Sequence, residues 1–277
     1  MPNGNIHKRG FSPEPPVGCG LSKDRILLHC CCAPCSTAII EWMTISGLRP
    51  GIFFSNSNIV PFREYSIRRD ELIRYAAAHG LETIDDEYNH AAWLSFVRRL
   101  ESPLAGERTA PVAEPVSPVA ELAEAPGQRE EELPPATEPA IRIADMPERG
   151  PRCLECFKFR LLRAARYAAT HGYTILTTTL ASSRWKDLGQ VDTAGRWACE
   201  TVNASLVMPG NNLLSTPCPG VVPDSVQANT IGHQTSHVLW WNQNWRRGGL
   251  QERRNALIKE WDMYNQTFCG CEFSERH

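Results

Sequence analysis

The chain carries eleven cysteines, and eight of them fall into three tight groups. The groups are Cys30, Cys31 and Cys32 with Cys35, then Cys153 with Cys156, and finally Cys269 with Cys271. Three consecutive cysteines do not suit structural disulfides, which join residues that meet across a fold with Cα atoms about 5.5 Å apart. In a reducing compartment, grouped cysteines are typical of a metal site or a redox catalyst.

The first two groups contain enough thiolates for one metal centre. Cys153 and Cys156 lie at the expected start of a helix, where backbone N–H groups favour thiolate. Together with two cysteines of the turn at 30–35 they make four ligands, which suits zinc or an iron–sulfur cluster. Adjacent ligands such as Cys31 and Cys32 suit compact tetrahedral zinc poorly, because consecutive side chains diverge. A wider iron–sulfur cubane tolerates them, and a structural zinc knuckle is the alternative.

The third group, Cys269-Gly270-Cys271, indicates different chemistry. A bond between Cys269 and Cys271 would close a very small ring, and Gly270 gives the backbone the freedom that this ring needs. A strained disulfide is easily reduced, so it suits a catalytic or relay role. Two free or metal-binding thiols are the alternative.

The segments that must position these cysteines alternate between strand and helix patterns. Residues 25–29 form an apolar run typical of a buried strand, and Pro34 lies where a helix could begin. Further strands are expected at 52–54 and 173–180, and further helices at 61–79, 153–171 and 250–267. This alternation predicts an α/β fold with a Rossmann-like parallel sheet flanked by helices. Ligands bind such sheets at the carboxyl ends of strands, where the first cysteine turn lies.

Composition divides the chain into segments. Residues 102–150 are rich in Pro, Ala and Glu and cannot bury enough apolar surface to offset their ordering entropy, which predicts a disordered insertion. We therefore expect a single α/β catalytic domain made of residues 25–101 and 151–277, with an N-terminal extension at 1–24. Closing the fold around the insertion is tolerable, because each doubling of loop length costs only about 0.6 kcal/mol.

Charge and hydropathy limit the possible partners. The formal net charge is −2, but residues 101–150 hold four arginines and eleven acids, which leaves 25 Lys and Arg against 20 Asp and Glu elsewhere. This mildly basic body permits a polyanionic partner. No stretch reaches the roughly 18 apolar residues of a membrane span, and the first residues lack a signal-peptide core. We expect a soluble, cytoplasmic protein without a membrane partner.

Five sequence words occur in an order that resembles the QueH family of cobalamin-independent epoxyqueuosine reductases. The words are LHCCCAPC at 28–35, FSNSNIVP at 54–61, RCLECFKFRL at 152–161, TTTL at 177–180 and NQTFCGCEFS at 265–274. The resemblance implies an iron–sulfur enzyme that reduces the epoxide of epoxyqueuosine at the tRNA wobble position to queuosine, the last step of queuosine biosynthesis. An electron donor, which the sequence does not identify, must supply this reaction.

The resemblance also implies roles for individual cysteines. Cys31, Cys32, Cys153 and Cys156 would hold a [4Fe-4S] cluster, and Cys269 with Cys271 would form a redox-active disulfide. Cys35 and Asp187 are candidates for binding an additional iron or for donating a proton. A free buried thiol is the alternative for Cys35, and a helix-capping acid is the alternative for Asp187.

Aromatic and basic residues meet in the segment 240–254. Within it, Trp245, Arg246 and Arg247 are candidate tRNA contacts, because aromatic faces and guanidinium groups suit a splayed-out nucleotide and its phosphates. The alternative is that the tryptophans fill the core while the arginines are solvated. For the whole chain, two other functions stay open: a zinc-stabilised RNA-binding module without catalysis, and a metal-free thiol–disulfide oxidoreductase.

Overall fold

The structure is a computed structural model that describes residues 14–15, 25–101, 142–207 and 236–274. Within these ranges the strands are β1 (Ile26–Cys30), β2 (Gly51–Phe54), β3 (Thr83–Asp85), β4 (Ile175–Thr178) and β5 (Leu239–Trp240). The α-helices are α1 (Ala33–Ile45), α2 (Phe62–Ala78), α3 (His90–Arg98), α4 (Pro151–Thr170), α5 (Leu188–Val207) and α6 (Leu250–Glu260).

The strands form one parallel sheet in the order β3-β2-β1-β4-β5. β1 lies in the centre, and its His29 pairs with Phe53 of β2 on one side and with Thr178 of β4 on the other. β2 and β3 follow β1 on one side of it, and the chain then adds β4 and β5 on the other side. Such a reversal opens a crevice beyond the carboxyl ends of the two strands, here β1 and β4. The predicted Rossmann-like α/β fold is confirmed.

Helices cover the sheet in two groups. α1 packs against α2 and α6, whereas α4 packs against α3 and α5. Every residue of β1 is buried, as a central parallel strand requires. Ala164, Ala165, Ala168 and Ala169 of α4 are fully buried, so the backbone of this helix lies close to its neighbours. No helix in the described ranges combines the length and apolarity needed to cross a membrane.

α1 and α4, the two helices whose first turns lie at cysteine groups, begin in similar ways. Pro34 lies in the first turn of α1 and Pro151 in the first turn of α4, where proline is pre-organised for a helix. Neither N-cap residue, Cys32 or Gly150, contributes a side-chain hydrogen bond. The N–H groups of both first turns are therefore left to other acceptors.

Some element boundaries differ from the sequence-based expectation. The strand predicted at 173–180 ends at Thr178, and Thr179–Ser182 forms a 3-10 turn. The helix predicted at 250–267 ends at Glu260, because Trp261 caps it and Asp262 has a left-handed φ of 48°. β5 was not predicted, because the aromatic and basic pattern around it was interpreted as an RNA-contact segment.

The insertion is shorter at its C-terminal end than predicted. Residues 102–141, like residues 1–13 and 16–24 of the predicted extension, lie outside the described residues. In contrast, residues 142–150 belong to the fold: Ile143 is buried, and its carbonyl accepts a hydrogen bond from Arg152. The Ile143 N–H also donates to Glu101 Oε1 at 3.0 Å, so the two ends of the segment 102–142 are joined directly.

Candidate metal and redox site

A cavity of about 870 Å³ opens at the carboxyl ends of β1 and β4. Seven cysteines line it: Cys31, Cys32, Cys35, Cys153, Cys156, Cys269 and Cys271. Among the described residues, the other two cysteines, Cys30 and Cys199, lie buried elsewhere. The fold therefore brings all three cysteine groups to one cavity, at the place that parallel α/β sheets use for ligands.

The cysteine turn after β1 is the tightest thiol group. The Sγ atoms of Cys31, Cys32 and Cys35 all lie within 4.8 Å of one another, and those of Cys31 and Cys32 are 3.9 Å apart. Cys30 points away: its thiol donates to the Leu28 carbonyl, and burial raises its pKa. Three of the four thiols in this turn could thus bind a metal ion together.

Hydroxyl groups from the turn after β4 hold the cysteine turn. Thr179 Oγ1 accepts a hydrogen bond from the Cys31 N–H at 3.2 Å and lies 3.6 Å from Cys31 Sγ. Ser182 Oγ donates to the Cys35 carbonyl at 2.9 Å. The 3-10 turn that replaces the predicted end of β4 therefore fixes the backbone of the thiol group.

Hydrogen bonds within this group favour the thiolate form of Cys31. Hydrogen bonds from Cys32 and Cys35 lower the pKa of Cys31 well below its ordinary value, against the opposing effect of burial. Burial raises the pKa of Cys32, and the hydrogen bond with Cys31 raises it further. Charge from Lys186 and Arg160 also favours the Cys31 thiolate. These effects favour the thiolate form at Cys31, which is the form that binds metals and acts as a nucleophile.

The second cysteine group lies in the first turns of α4. The Arg149 N–H donates to Cys153 Sγ at 3.3 Å. Burial, followed by the neighbouring Cys156 and Cys269, raises the pKa of Cys153 to about 11. This thiol therefore needs either its proton or a bound cation at neutral pH.

The Cys-Gly-Cys segment is fixed through its backbone. Arg68 donates to the carbonyls of Cys269 at 2.8 Å and Phe268 at 3.4 Å, and the Val60 N–H donates to the Gly270 carbonyl at 2.9 Å. Gly270 has a φ of 103°, and a Cβ there would lie 3.0 Å from the Arg68 guanidinium. Only glycine meets both conditions without strain.

Cys269 and Cys271 are both free thiols in the structure. A hydrogen bond from Cys271 lowers the pKa of Cys269 well below its ordinary value; burial opposes this, and charge from Lys186, Arg160 and Arg68 supports it. The same hydrogen bond raises the pKa of Cys271. The hydrogen bond therefore shifts the two pKa values in opposite directions and favours one thiolate beside one thiol, the arrangement that thiol–disulfide exchange uses.

The cavity is strongly cationic. Eight cationic side chains line it, against the single carboxylate of Glu148: Arg68, Arg149, Arg152, Arg160, Arg184, Lys186, Arg246 and Arg254. Of these eight, only Arg68 forms an ion pair within the described residues, with Glu64 at 2.6 Å. Within the part of the chain that the structure describes, the other seven cations have no carboxylate partner and line the same cavity as the thiols.

Lys186 and Arg160 are two of the cavity cations that the sequence analysis did not identify. Burial alone would lower the pKa of Lys186, but the nearby Cys269, Cys31 and Cys35 thiolates raise it. Arg160 is fully buried and donates to the Ser55 carbonyl at 3.1 Å. The position of Lys186, directly after the turn at a strand end, was an available signal; nothing local marked Arg160.

Two candidate residues have other roles in the structure. Asp187 is exposed and does not line the cavity; its Oδ1 accepts from the Gln190 N–H at 2.8 Å, so it caps the start of α5. Trp245 is fully buried, with ring centroids 5.7 Å from Trp42 and 5.3 Å from Trp241. Trp245 is therefore a core residue, because its whole surface is used in packing, and it offers no face to RNA.

The two arginines next to Trp245 differ from each other. Arg246 lines the cavity and donates to the carbonyls of Ser183 and Lys186. Arg247 is exposed but does not line the cavity. Of the three candidate RNA contacts, only Arg246 thus lies at the site.

A parallel α/β sheet with seven thiols in one cavity is typical of proteins that bind a metal or carry out redox chemistry. A family model described as epoxyqueuosine reductase QueH matches residues 26–111, 131–209 and 223–277. The chain belongs to the QueH family. The unmatched stretch 112–130 falls within the Pro/Ala/Glu-rich segment.

Individual relatives agree with the family match. The epoxyqueuosine reductase QueH of Haemophilus influenzae is 30% identical over 253 residues, which cover 91% of this chain and 72% of the relative. The proteins of the same name from Histophilus somni and Acinetobacter baylyi are 29% and 28% identical over the same length, with 73% and 81% of the relatives covered.

Proposed function

We propose that this chain is an iron–sulfur reductase that converts epoxyqueuosine at the wobble position of tRNA to queuosine. The observation that carries the proposal is the convergence of seven cysteines on one cavity in a chain whose relatives are named epoxyqueuosine reductases. The reaction removes an oxygen atom, so the site must deliver electrons and protons to the same place.

The residues present fit a [4Fe-4S] cluster. Cys31, Cys32, Cys153 and Cys156 line the same cavity from two different helix starts. Cationic side chains beside them offset the negative charge that four thiolates bring. When bound, the cluster supplies single electrons and Lewis acidity. The Cys35 thiol lies next to those of Cys31 and Cys32, so this part of the cavity also offers ligands for an additional iron.

The third cysteine group, Cys269 and Cys271, could supply the electrons that epoxide reduction consumes. Breaking both C–O bonds of an epoxide to give an alkene and water consumes two electrons and two protons. Oxidation of the Cys269 and Cys271 thiols to a disulfide releases two electrons and two protons. A cellular electron donor would then restore the dithiol with two further electrons and two protons from solvent. Because the hydrogen bond with Cys271 favours thiolate at Cys269, a pair that starts as one thiolate and one thiol would release one proton on oxidation, and solvent would supply the second proton.

The charge of the cavity supports a tRNA substrate. Seven cationic side chains there lack a carboxylate partner within the described residues, and an RNA backbone supplies phosphates for them. A small uncharged substrate would leave most of these charges unneutralised.

The decisive experiment is anaerobic reconstitution with iron and sulfide, followed by assay on tRNA bearing epoxyqueuosine with a strong reductant. We expect a brown protein that forms queuosine in the tRNA. If the fully loaded protein binds the tRNA but leaves the epoxide intact, the proposed reaction is wrong.

The two other candidate functions make different predictions in the same assay. A zinc-stabilised RNA-binding module would be colourless when fully loaded with metal. A metal-free thiol–disulfide oxidoreductase would keep its activity after chelation and would need only Cys269 and Cys271.

A further inference from the structure

Trp185 is unusual among the tryptophans of this protein. The chain has eight tryptophans, all within the described residues. Trp185 has 55% of its surface exposed, whereas the other seven are buried or half-buried. It also lines the cysteine cavity. A large exposed aromatic ring at the mouth of a ligand site indicates a surface that binds a partner.

The loop that carries Trp185 is held by two arginines. Arg149 donates to the carbonyl of Trp185 at 2.9 Å and to that of Arg184 at 3.2 Å. Arg246 donates to the carbonyl of Lys186 at 2.5 Å and also to that of Ser183. Four consecutive carbonyls are thus fixed by side chains from other parts of the fold. A ring on such a pre-organised loop loses little further freedom when it binds a partner.

The surroundings of the ring favour a nucleic acid as the partner. The guanidinium of Arg184 lies 4.7 Å from the centre of the Trp185 ring and has no carboxylate partner within the described residues. Aromatic faces with adjacent guanidinium groups bind single-stranded RNA by stacking on bases and pairing with phosphates. Enzymes that act on a base take its nucleotide out of the stack, and a nucleotide that enters this cavity would bring its neighbours in the chain to the cavity mouth.

We propose that Trp185 is a stacking platform for a nucleobase next to the reacting nucleotide, and that Arg184 pairs with an adjacent phosphate. This proposal rests on the proposed tRNA substrate. It assigns a binding role to the loop between β4 and α5, whereas the sequence pattern had pointed to Trp245, which is buried.

The test measures binding of tRNA bearing epoxyqueuosine to the cluster-loaded full chain without reductant, so that no turnover occurs. Trp185→Leu should weaken binding roughly 5- to 150-fold, the range for loss of one base–aromatic stack, and Trp185→Phe should retain most of the affinity. Phe62→Leu is the matched control, because Phe62 is 54% exposed but does not line the cavity.

Salt dependence separates the two roles. Trp185→Leu should shift the plot of log affinity against log salt without changing its slope, whereas Arg184→Gln should reduce the slope by about 0.7 to 0.9. Arg63→Gln, an exposed arginine outside the cavity lining, should leave the slope unchanged. A merely structural role of Trp185 predicts no difference between its Leu and Phe variants.

Failure of the platform can be told apart from failure of the proposed reaction. If the unmodified protein reduces the epoxide but Trp185→Leu binds tRNA normally, the platform is wrong and the reaction stands. If Trp185→Leu weakens binding but the unmodified protein does not reduce the epoxide, the platform stands. If Trp185→Leu lowers turnover while tRNA affinity is unchanged, the ring serves a protein electron donor instead, which also overturns the proposal.

Discussion

The guanidinium of Arg160 and the side-chain oxygen of Asn56 form a buried hydrogen bond beside the thiol cavity. Asn56 also donates to the Cys30 carbonyl at 3.0 Å, so the same side chain supports the cysteine turn. The hydrogen-bonding partners of Arg160 on this side, Asn56 and the Ser55 carbonyl, are neutral oxygens. The positive charge is therefore left to act on the thiols, and it opposes the burial that raises the pKa of Cys156.

Replacing Arg160 should change the redox potential of the bound cluster. Reduction adds negative charge, so loss of a buried cation in Arg160→Gln should lower the midpoint potential by on the order of 50 mV. Arg160→Lys keeps the charge and should restore most of the potential. A redox titration followed by electron paramagnetic resonance measures this. Equal potentials in the Gln variant and the unmodified protein would show that Arg160 has a structural role only.

Cys153→Ser should remove the cluster and the activity together. A serine hydroxyl is a poor substitute for the thiolate of a cluster ligand, so visible absorbance after reconstitution should be lost along with epoxide reduction. Cys199→Ser is the matched control, because Cys199 is buried in α5 away from the cavity. A brown Cys153→Ser protein with a full iron content would contradict the assigned ligand set.

Cys269→Ser should separate the cluster from turnover. The variant should retain its colour, because Cys269 is outside the assigned ligands, but lose epoxide reduction almost completely, because Cys271 alone cannot form the disulfide that releases two electrons. Iron content and conversion of tRNA are measured on the same sample. Bleaching of this variant would instead identify Cys269 as a ligand.

Gly270→Ala should displace the Cys-Gly-Cys segment. The new methyl group would face both a φ of 103° and the Arg68 guanidinium at 3.0 Å. Gly47→Ala is the control: its φ is 77°, but nothing lies within 4 Å of the added Cβ. Both changes should lower the free energy of unfolding by about 1 to 2 kcal/mol, whereas only Gly270→Ala should reduce turnover. Unchanged turnover in Gly270→Ala would mean that the backbone position of Cys269 is not critical.

Thiol alkylation in the metal-free, reduced protein should depend on pH differently at two cysteines. The thiolate is the reactive form, and the hydrogen bond from Cys271 holds the pKa of Cys269 below its ordinary value. Alkylation of Cys269 should therefore reach its maximum rate at a lower pH than alkylation of an ordinary thiol. Cys153, whose pKa is about 11, should react about tenfold faster with each added pH unit up to that value. Peptide mapping by mass spectrometry distinguishes the two sites.

The sequence could predict where the thiol-bearing elements begin. Pro34 and Pro151 mark helix starts, and Gly172 has the left-handed φ that ends a helix, as expected after 153–171. These signals are local, because a few neighbouring residues decide them. The position of the first cysteine turn at the carboxyl end of a strand also followed from the predicted parallel sheet.

Pairings between distant residues could not be predicted in the same way. The Trp245 pattern is identical whether the ring packs in the core or faces RNA, and only the position of Trp42 decides between them. Arg68 is buried and binds the Cys269 backbone 201 positions away, a contact that nothing in its local sequence indicates. Such contacts depend on the order of strands in the sheet, which local pattern does not determine.

The hydrogen bond between Ile143 and Glu101 has a practical and an evolutionary consequence. Because it holds the two edges of the segment 102–142 together, a linker of only a few residues could replace the intervening chain without pulling on either thiol group. This position can therefore gain or lose sequence while the thiol cavity keeps its shape, and it is a suitable place to attach an affinity tag or a fluorophore.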